Sequence, residues 1–307
     1  METFDIYTFD IRNWEALFAN DVDSYLQDKG YNVEQHLKQD FQDPLQEQVD
    51  KAEFFRLIKR HLIVQHRETK TFFTINHADK AKHYNDAFIG LDHCAGTLKI
   101  QYEEGLYQNM PHKVKPFIYK ARFREYDQYR HDFIDKKGTK RILHFRGNDK
   151  YSRAPFLQEI YRRGLLNDYF GFFQNAQKIG PYDFLKEMSE HKIALALPGH
   201  GNLCHRELEA FGIKTPVLMP NLDNQYYNDL IPGEHYIGFE LSRYFHKCSI
   251  EEFMEKLEEQ YYKYIDNDEE LERIAENGMK WYEDNVVYPN NMILMEKILK
   301  NEFNYNL

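Results

Sequence analysis

The chain has 307 residues, 42% of them hydrophobic, which is enough for one large core or two medium ones at ~100–200 residues per domain. Lys and Arg number 40 against 50 Asp and Glu, a net charge of −10. That balance excludes a general binder of nucleic acid or of anionic membranes, so an anionic ligand has to be met by a local group of cations.

Phe4 to Phe9 (FDIYTF) reads as a short strand, and Asn13 to Lys29 as a helix with Trp14, Leu17, Phe18 and Tyr25 at helical spacing. Residues 32–50 are polar and read as irregular or short helical chain. Ala52 to Val64 has the apolar pattern of an amphipathic helix. Thr71 to Ile75 (TFFTI) reads as a buried strand ending in Asn76-His77-Ala78-Asp79. Phe88 to Leu91 and Leu98 to Tyr102 are further short strands. The charge-rich stretch Arg124–Lys140 suits a linker between two lobes.

Beyond it, Arg141 to Phe145 (RILHF) is a strand running into Arg146-Gly147, and residues 153–165 form a helix. Tyr182 to Ser189 is a helix and Ile193 to Leu197 (IALAL) a fully buried strand. Pro198 to Asn202 is a loop, and Cys204 to Phe211 a helix ended by Gly212. Thr215 to Met219 is a strand. Helices follow at Ile250–Ile265, Asp268–Asn285 and residues 291–303. Alternating strands and helices imply α/β layers around a parallel sheet.

The three cysteines, Cys94, Cys204 and Cys248, are far apart and form no disulfide framework or metal pair. No apolar run approaches the ~18 residues of a membrane span, and the N-terminus lacks the pattern of a secretory signal, so the expected location is cytoplasmic.

Two segments carry chemistry. In residues 195–220 a buried strand stops at Pro198, Gly199 and Gly201 flank His200, and Asn202 is placed to cap the following helix. A strand, a glycine loop and a helix start present backbone N–H groups to an anion. Arg206, one turn in, offers a fork of donors to phosphate, and Glu207 or Glu209 an acceptor for ribose hydroxyls. In residues 144–153 a strand ends in Arg146-Gly147, and Ser152-Arg153 opens a helix. Arg146, Lys150 and Arg153 place three cations at one strand end.

The ordered set of motifs resembles the donor lobe of inverting GT-B glycosyltransferases of the exostosin and protein O-glucosyltransferase type, with their large-DNA-virus and bacterial relatives. The matching pieces are Phe145-Arg146-Gly147, Ser152-Arg153, Leu197-Pro198-Gly199 through Arg206 and Glu209, Gly212 to Val217, Leu230 to Tyr236, Ser249 to Leu257, and Ile274 to Gly278. The resemblance covers about residues 140–285. It implies an α/β protein of two Rossmann-like lobes with a cleft between them. Residues 1–135 would hold the acceptor and 136–290 the nucleotide-sugar, with 291–307 crossing back as a helix onto the first lobe. Arg146, Gly147, Ser152, Arg153 and Arg206 would surround the diphosphate, with Gly199, His200, Gly201 and Asn202 in the loop. Glu209 would take the ribose. His200 and His205 depart from the family pattern.

The implied reaction moves a sugar (xylose, glucose or similar) from a UDP-sugar to a hydroxyl of a glycan or glycoconjugate. It proceeds with inversion and requires no metal or other cofactor. Two regions could carry the general base, each following an expected strand: Asp79, with His77 in the same segment, and Asp92. Two other readings stay open: a non-catalytic nucleotide or glycan binder, and a dinucleotide-dependent oxidoreductase, the latter weakened because no G-x-G-x-x-G follows an early strand.

Overall fold

The computed structural model of the chain describes residues 2–8, 15–37, 61–77, 92–103, 106–107, 113–118, 126–148, 153–167, 170–171, 179–199 and 203–307. The chain forms two compact units. One combines Met1–Lys120, Asn224–Asn228 and Asn285–Leu307; the other combines Ala121–Asp223 and Asp229–Asp284.

The first unit is built on a six-stranded sheet. Its strands are β1 (Thr3–Thr8), β2 (Asn32–Leu37), β3 (His61–His66), β4 (Phe72–Asn76), β5 (Cys94–Lys99) and β6 (Val114–Pro116), in the order β2-β1-β3-β4-β5-β6. All run in one direction except β3, which is antiparallel to both its neighbours. The sheet is therefore mixed, where the sequence suggested a parallel one. Helix α1 (Glu15–Asp28) packs on β1, β2 and β3.

Two segments change type relative to the sequence reading. Residues 32–37, expected as irregular or helical chain, form edge strand β2. It is an edge strand among the described residues, and its polar side chains find partners: Gln35 bonds Asp23 at 2.6 Å and His36 bonds Asp5 at 2.7 Å. Residues 61–64, expected at the end of a helix, lie in central strand β3. The run Leu62-Ile63-Val64 is fully buried, and such a run fits a core strand as well as a helix face. The rest of that expected helix and the expected strand at 88–91 lie outside the described residues.

The second unit is parallel throughout its described strands. They are β7 (Gly147–Asn148), β8 (Phe170–Gly171), β9 (Ala194–Leu195), β10 (Val217–Pro220) and β11 (Ile237–Phe239). Residues 143–144 add to this layer: Leu195 N donates to the His144 carbonyl at 2.8 Å and Leu143 N to that of Leu165 at 2.8 Å. Its helices are α2 (Tyr126–Arg130), α3 (Ala154–Arg162), α4 (Pro181–Ser189), α5 (His205–Gly212), α6 (Ile250–Tyr264) and α7 (Asp268–Asn285). Leu195, Leu218, Ile237, Phe253 and Leu257 meet in one core. The alternation of strand and helix is Rossmann-like.

Helix α2 lies inside the stretch expected as a linker. Tyr126 and Arg130 are buried there; the Tyr126 hydroxyl donates to the Glu209 carbonyl, and Arg130 Nη1 bonds Glu283 at 3.1 Å. The second unit accordingly begins at residue 121. The last helix, α8 (Asn290–Phe303), belongs to the first unit, where Phe303 seats over Gly96 of β5 and Tyr305 meets the Phe73 ring. Among the described residues no helix is long and apolar enough to cross a membrane.

Candidate functional site

In the second unit the segment Phe145-Arg146, which leads into β7, runs alongside the segment that leaves β9 for Leu197-Pro198, because residues 144 and 194 pair in parallel. Helix α5 starts beside them. Its cap is Cys204, not Asn202, and Glu207 Oε2 accepts from Cys204 N at 3.0 Å. Burial pushes the Cys204 thiol up to about 12, which disfavours its thiolate. The helix ends with Gly212, and left-handed Lys214 follows its cap; Gly212 is needed because the Tyr126 hydroxyl leaves no room there for a Cβ.

Arg206 is the centre of the group. Its Nη2 and Nε donate to the Arg146 carbonyl at 3.0 and 3.3 Å, and its guanidinium lies 4.2 Å from the centre of the Phe145 ring. Gly147 makes this possible, since a Cβ there would strike Nη2. Arg206 Nη1 is buried and makes no hydrogen bond among the described residues. An orphaned guanidinium nitrogen costs free energy unless an acceptor comes to it.

Arg153 and Arg146 have other duties. Buried Arg153 donates from Nη2 to the Leu197 carbonyl at 2.7 Å and from Nε to that of Pro198 at 2.9 Å. It holds the loop, and Gly199 leaves room for its guanidinium. Burial pulls its pKa below the ordinary arginine value. Arg146 forks onto Glu187 of α4, with Nε 2.7 Å from Oε2 and Nη2 2.8 Å from Oε1. Glu207 is fully buried with Oε1 unbonded, and burial raises its pKa, while Glu209 is buried on the same helix. The buried His144 ring lies 5.0 Å from that of His191, tilted by 53°, and burial drives the His144 pKa well below its ordinary value.

So Arg146, Gly147, Arg153, Gly199 and Arg206 come together. Ser152, His200, Gly201 and Asn202 lie outside the described residues, as does Asp79 in the first unit.

In the first unit His77 follows the carboxyl end of β4. Asp92 is exposed and sits in the turn that enters β5. Because Phe72 pairs with Cys94 and Asn76 with Lys99, the two residues mark opposite edges of the sheet. About 15 Å of strand separates them at ~3.3 Å per residue.

No protein-family model matches the chain, and no curated protein does. Among solved structures, a sucrose-phosphate synthase from Thermosynechococcus elongatus aligns over 92% of this chain and 71% of its own. The TM-score is 0.42 and the identity 9%. The chemistry of the site therefore rests on this chain's own residues.

Sequence reasoning missed a row of polar side chains across the first sheet. His61, Asn76 and Lys99 are cross-strand partners and all buried. Lys99 Nζ donates to Asn76 Oδ1 at 3.0 Å, and Asn76 Nδ2 lies 2.7 Å from His61 Nε2. An ammonium only donates, so the amide oxygen faces it and the amide nitrogen faces His61. In that orientation the Asn76 amide nitrogen donates to His61 Nε2. The row lies at the carboxyl edge, beside His77, where open α/β sheets receive ligands. One further grouping has metal-ligand spacing among the described residues: Asp5, Glu34 and His36. Arg67 already ion-pairs with both acids, so the cluster carries its own counter-charge.

Proposed function

We propose that the chain is an inverting glycosyltransferase of GT-B type, taking a UDP-sugar in the second unit and a glycan or glycoconjugate hydroxyl in the first. The observation that carries this reading is the buried, unbonded Nη1 of Arg206, at a strand end and the start of a helix. That combination calls for an anionic oxygen. A leaving diphosphate supplies one and gains charge in the transition state, so the donor stabilises departure most when it matters.

The acceptor hydroxyl gives its proton to a base and its oxygen attacks the anomeric carbon, while the bond to the diphosphate breaks on the opposite face. Asp79 and His77 follow β4 and are the candidates for the base. Asp92, at the other edge of that sheet, is set aside. Arg153 supports the loop, Glu209 is assigned the ribose, and no metal is required.

The test is a thermal-shift panel of UDP, GDP, CMP, dTDP, ADP and NAD, with and without divalent metal, followed by assay of donor hydrolysis. Stabilisation by UDP without metal, lost in Arg206→Ala, together with hydrolysis of the UDP-sugar, is the expected result. UDP binding with no turnover would favour a binding protein instead, and a response to NAD alone would point to a dehydrogenase.

A further inference from the structure

Glu187 lies on α4, outside every motif in the sequence, and yet it fixes the geometry around Arg206. Its two carboxylate oxygens take Nε and Nη2 of Arg146 at 2.7 and 2.8 Å, and both side chains are mostly buried, at 23% and 14% exposure. A fork-to-fork pair sets orientation as well as distance. The Glu187 carbonyl also accepts from His191 Nδ1 at 2.8 Å, which ties the end of α4 to the chain entering β9. The pair cancels the charge of Arg146, so an anion gains little from approaching that guanidinium. What Arg146 still offers is its carbonyl, which holds Nε and Nη2 of Arg206 and leaves Nη1 unbonded.

We propose that Glu187 is a positioning residue of the phosphate site: it locks Arg146 so that Arg146 acts through its main-chain carbonyl, aligning Arg206 as the arginine that meets phosphate. This rests on the donor reading above. The sequence alone makes Arg146 a direct phosphate ligand; the geometry instead makes it a bracket.

The experiment is a mutant cycle read by calorimetric titration with UDP, with uridine affinity followed by saturation-transfer NMR. Arg146→Met and Glu187→Gln are each expected to weaken UDP about tenfold, since either one frees the bracket. Arg146→Met combined with Glu187→Met, which replaces the pair by apolar side chains, is expected to return within about threefold of the unsubstituted protein. Uridine affinity stays constant throughout. Glu187→Asp keeps the charge but shortens the reach, and is expected to match Glu187→Gln even if the latter folds poorly.

If Glu187→Gln tightens UDP or leaves it unchanged while Arg146→Met weakens it, Arg146 binds phosphate directly and the inference is wrong. Equal loss of uridine and UDP reduces Glu187 to a structural role and also overturns it. If the unsubstituted protein binds no UDP, the donor reading fails and takes this inference with it. If Arg206→Ala abolishes binding and the Glu187 variants leave UDP affinity unchanged, only this inference fails.

Discussion

Two buried polar groups, one in each unit, are built in opposite ways. In the first unit, Lys99, Asn76 and His61 satisfy one another in a chain across three strands. In the second, Arg146 and Arg153 are bonded by protein partners, but Arg206 keeps an unbonded nitrogen and Glu207 an unbonded oxygen. A completed network fixes its own geometry, whereas an unbonded buried atom costs free energy that a partner would recover.

That contrast can be broken by substitution. The largest effect is expected from Asn76→Ala, which takes the shared partner from both Lys99 and His61. It should cost about 2–4 kcal/mol of stability in urea unfolding. A loss below about 1 kcal/mol would show that the row is loosely held. Arg153→Met comes next: leaving the Leu197 and Pro198 carbonyls without these donors should cost about 2 kcal/mol. Arg206→Ala removes an orphaned nitrogen along with two weaker bonds and should change stability by less than about 1 kcal/mol, while ligand binding is lost. Equal destabilisation by both arginine variants would erase the distinction between them.

Acidification sharpens the comparison further. Burial lowers the pKa of His144 and of its neighbour His191 in the folded protein. The unfolded chain therefore takes up these protons first, as pH falls through about 6.5. Stability contributed by the neutral rings is complete above that pH and declines below it. His144→Asn should flatten the slope of stability against pH between about 5 and 6.5. The smallest effect is expected at Glu207, where burial raises the carboxyl pKa. The raised value favours the neutral form on folding, so its stabilisation fades as pH rises through the folded pKa. Glu207→Gln keeps an acceptor for Cys204 N without the buried charge, and should be neutral or stabilising by less than about 1 kcal/mol at pH 8.

The same contrast explains what the sequence reveals. The arginine group is local: Arg146-Gly147 leads into β7, Pro198-Gly199 follows β9, and Arg206 opens a helix, so each piece shows in a short stretch. The helices from Ile250 onward are equally legible, with Ser249 capping Glu252 N at 3.1 Å where an S-x-E-E pattern stands. The polar row is not local. His61, Asn76 and Lys99 meet only through strand register, and His61 sits at the start of a strand whose apolar run also fits a helix. Edge strand β2 is hidden by its polarity. Glu187 reads as an ordinary helix-surface acid until the fork to Arg146 is seen. At Gly147 and Gly199 the missing Cβ also leaves room for an arginine side chain, which the sequence does not show.

The central claim is that Arg206 Nη1 waits for an anionic oxygen. The most direct measurement is diffraction from crystals grown with UDP. The account expects a phosphate oxygen at about 2.7–2.9 Å from Nη1, with the Arg146–Glu187 pair intact. Phosphate bound elsewhere, or bound by Arg146 after it has left Glu187, would contradict it.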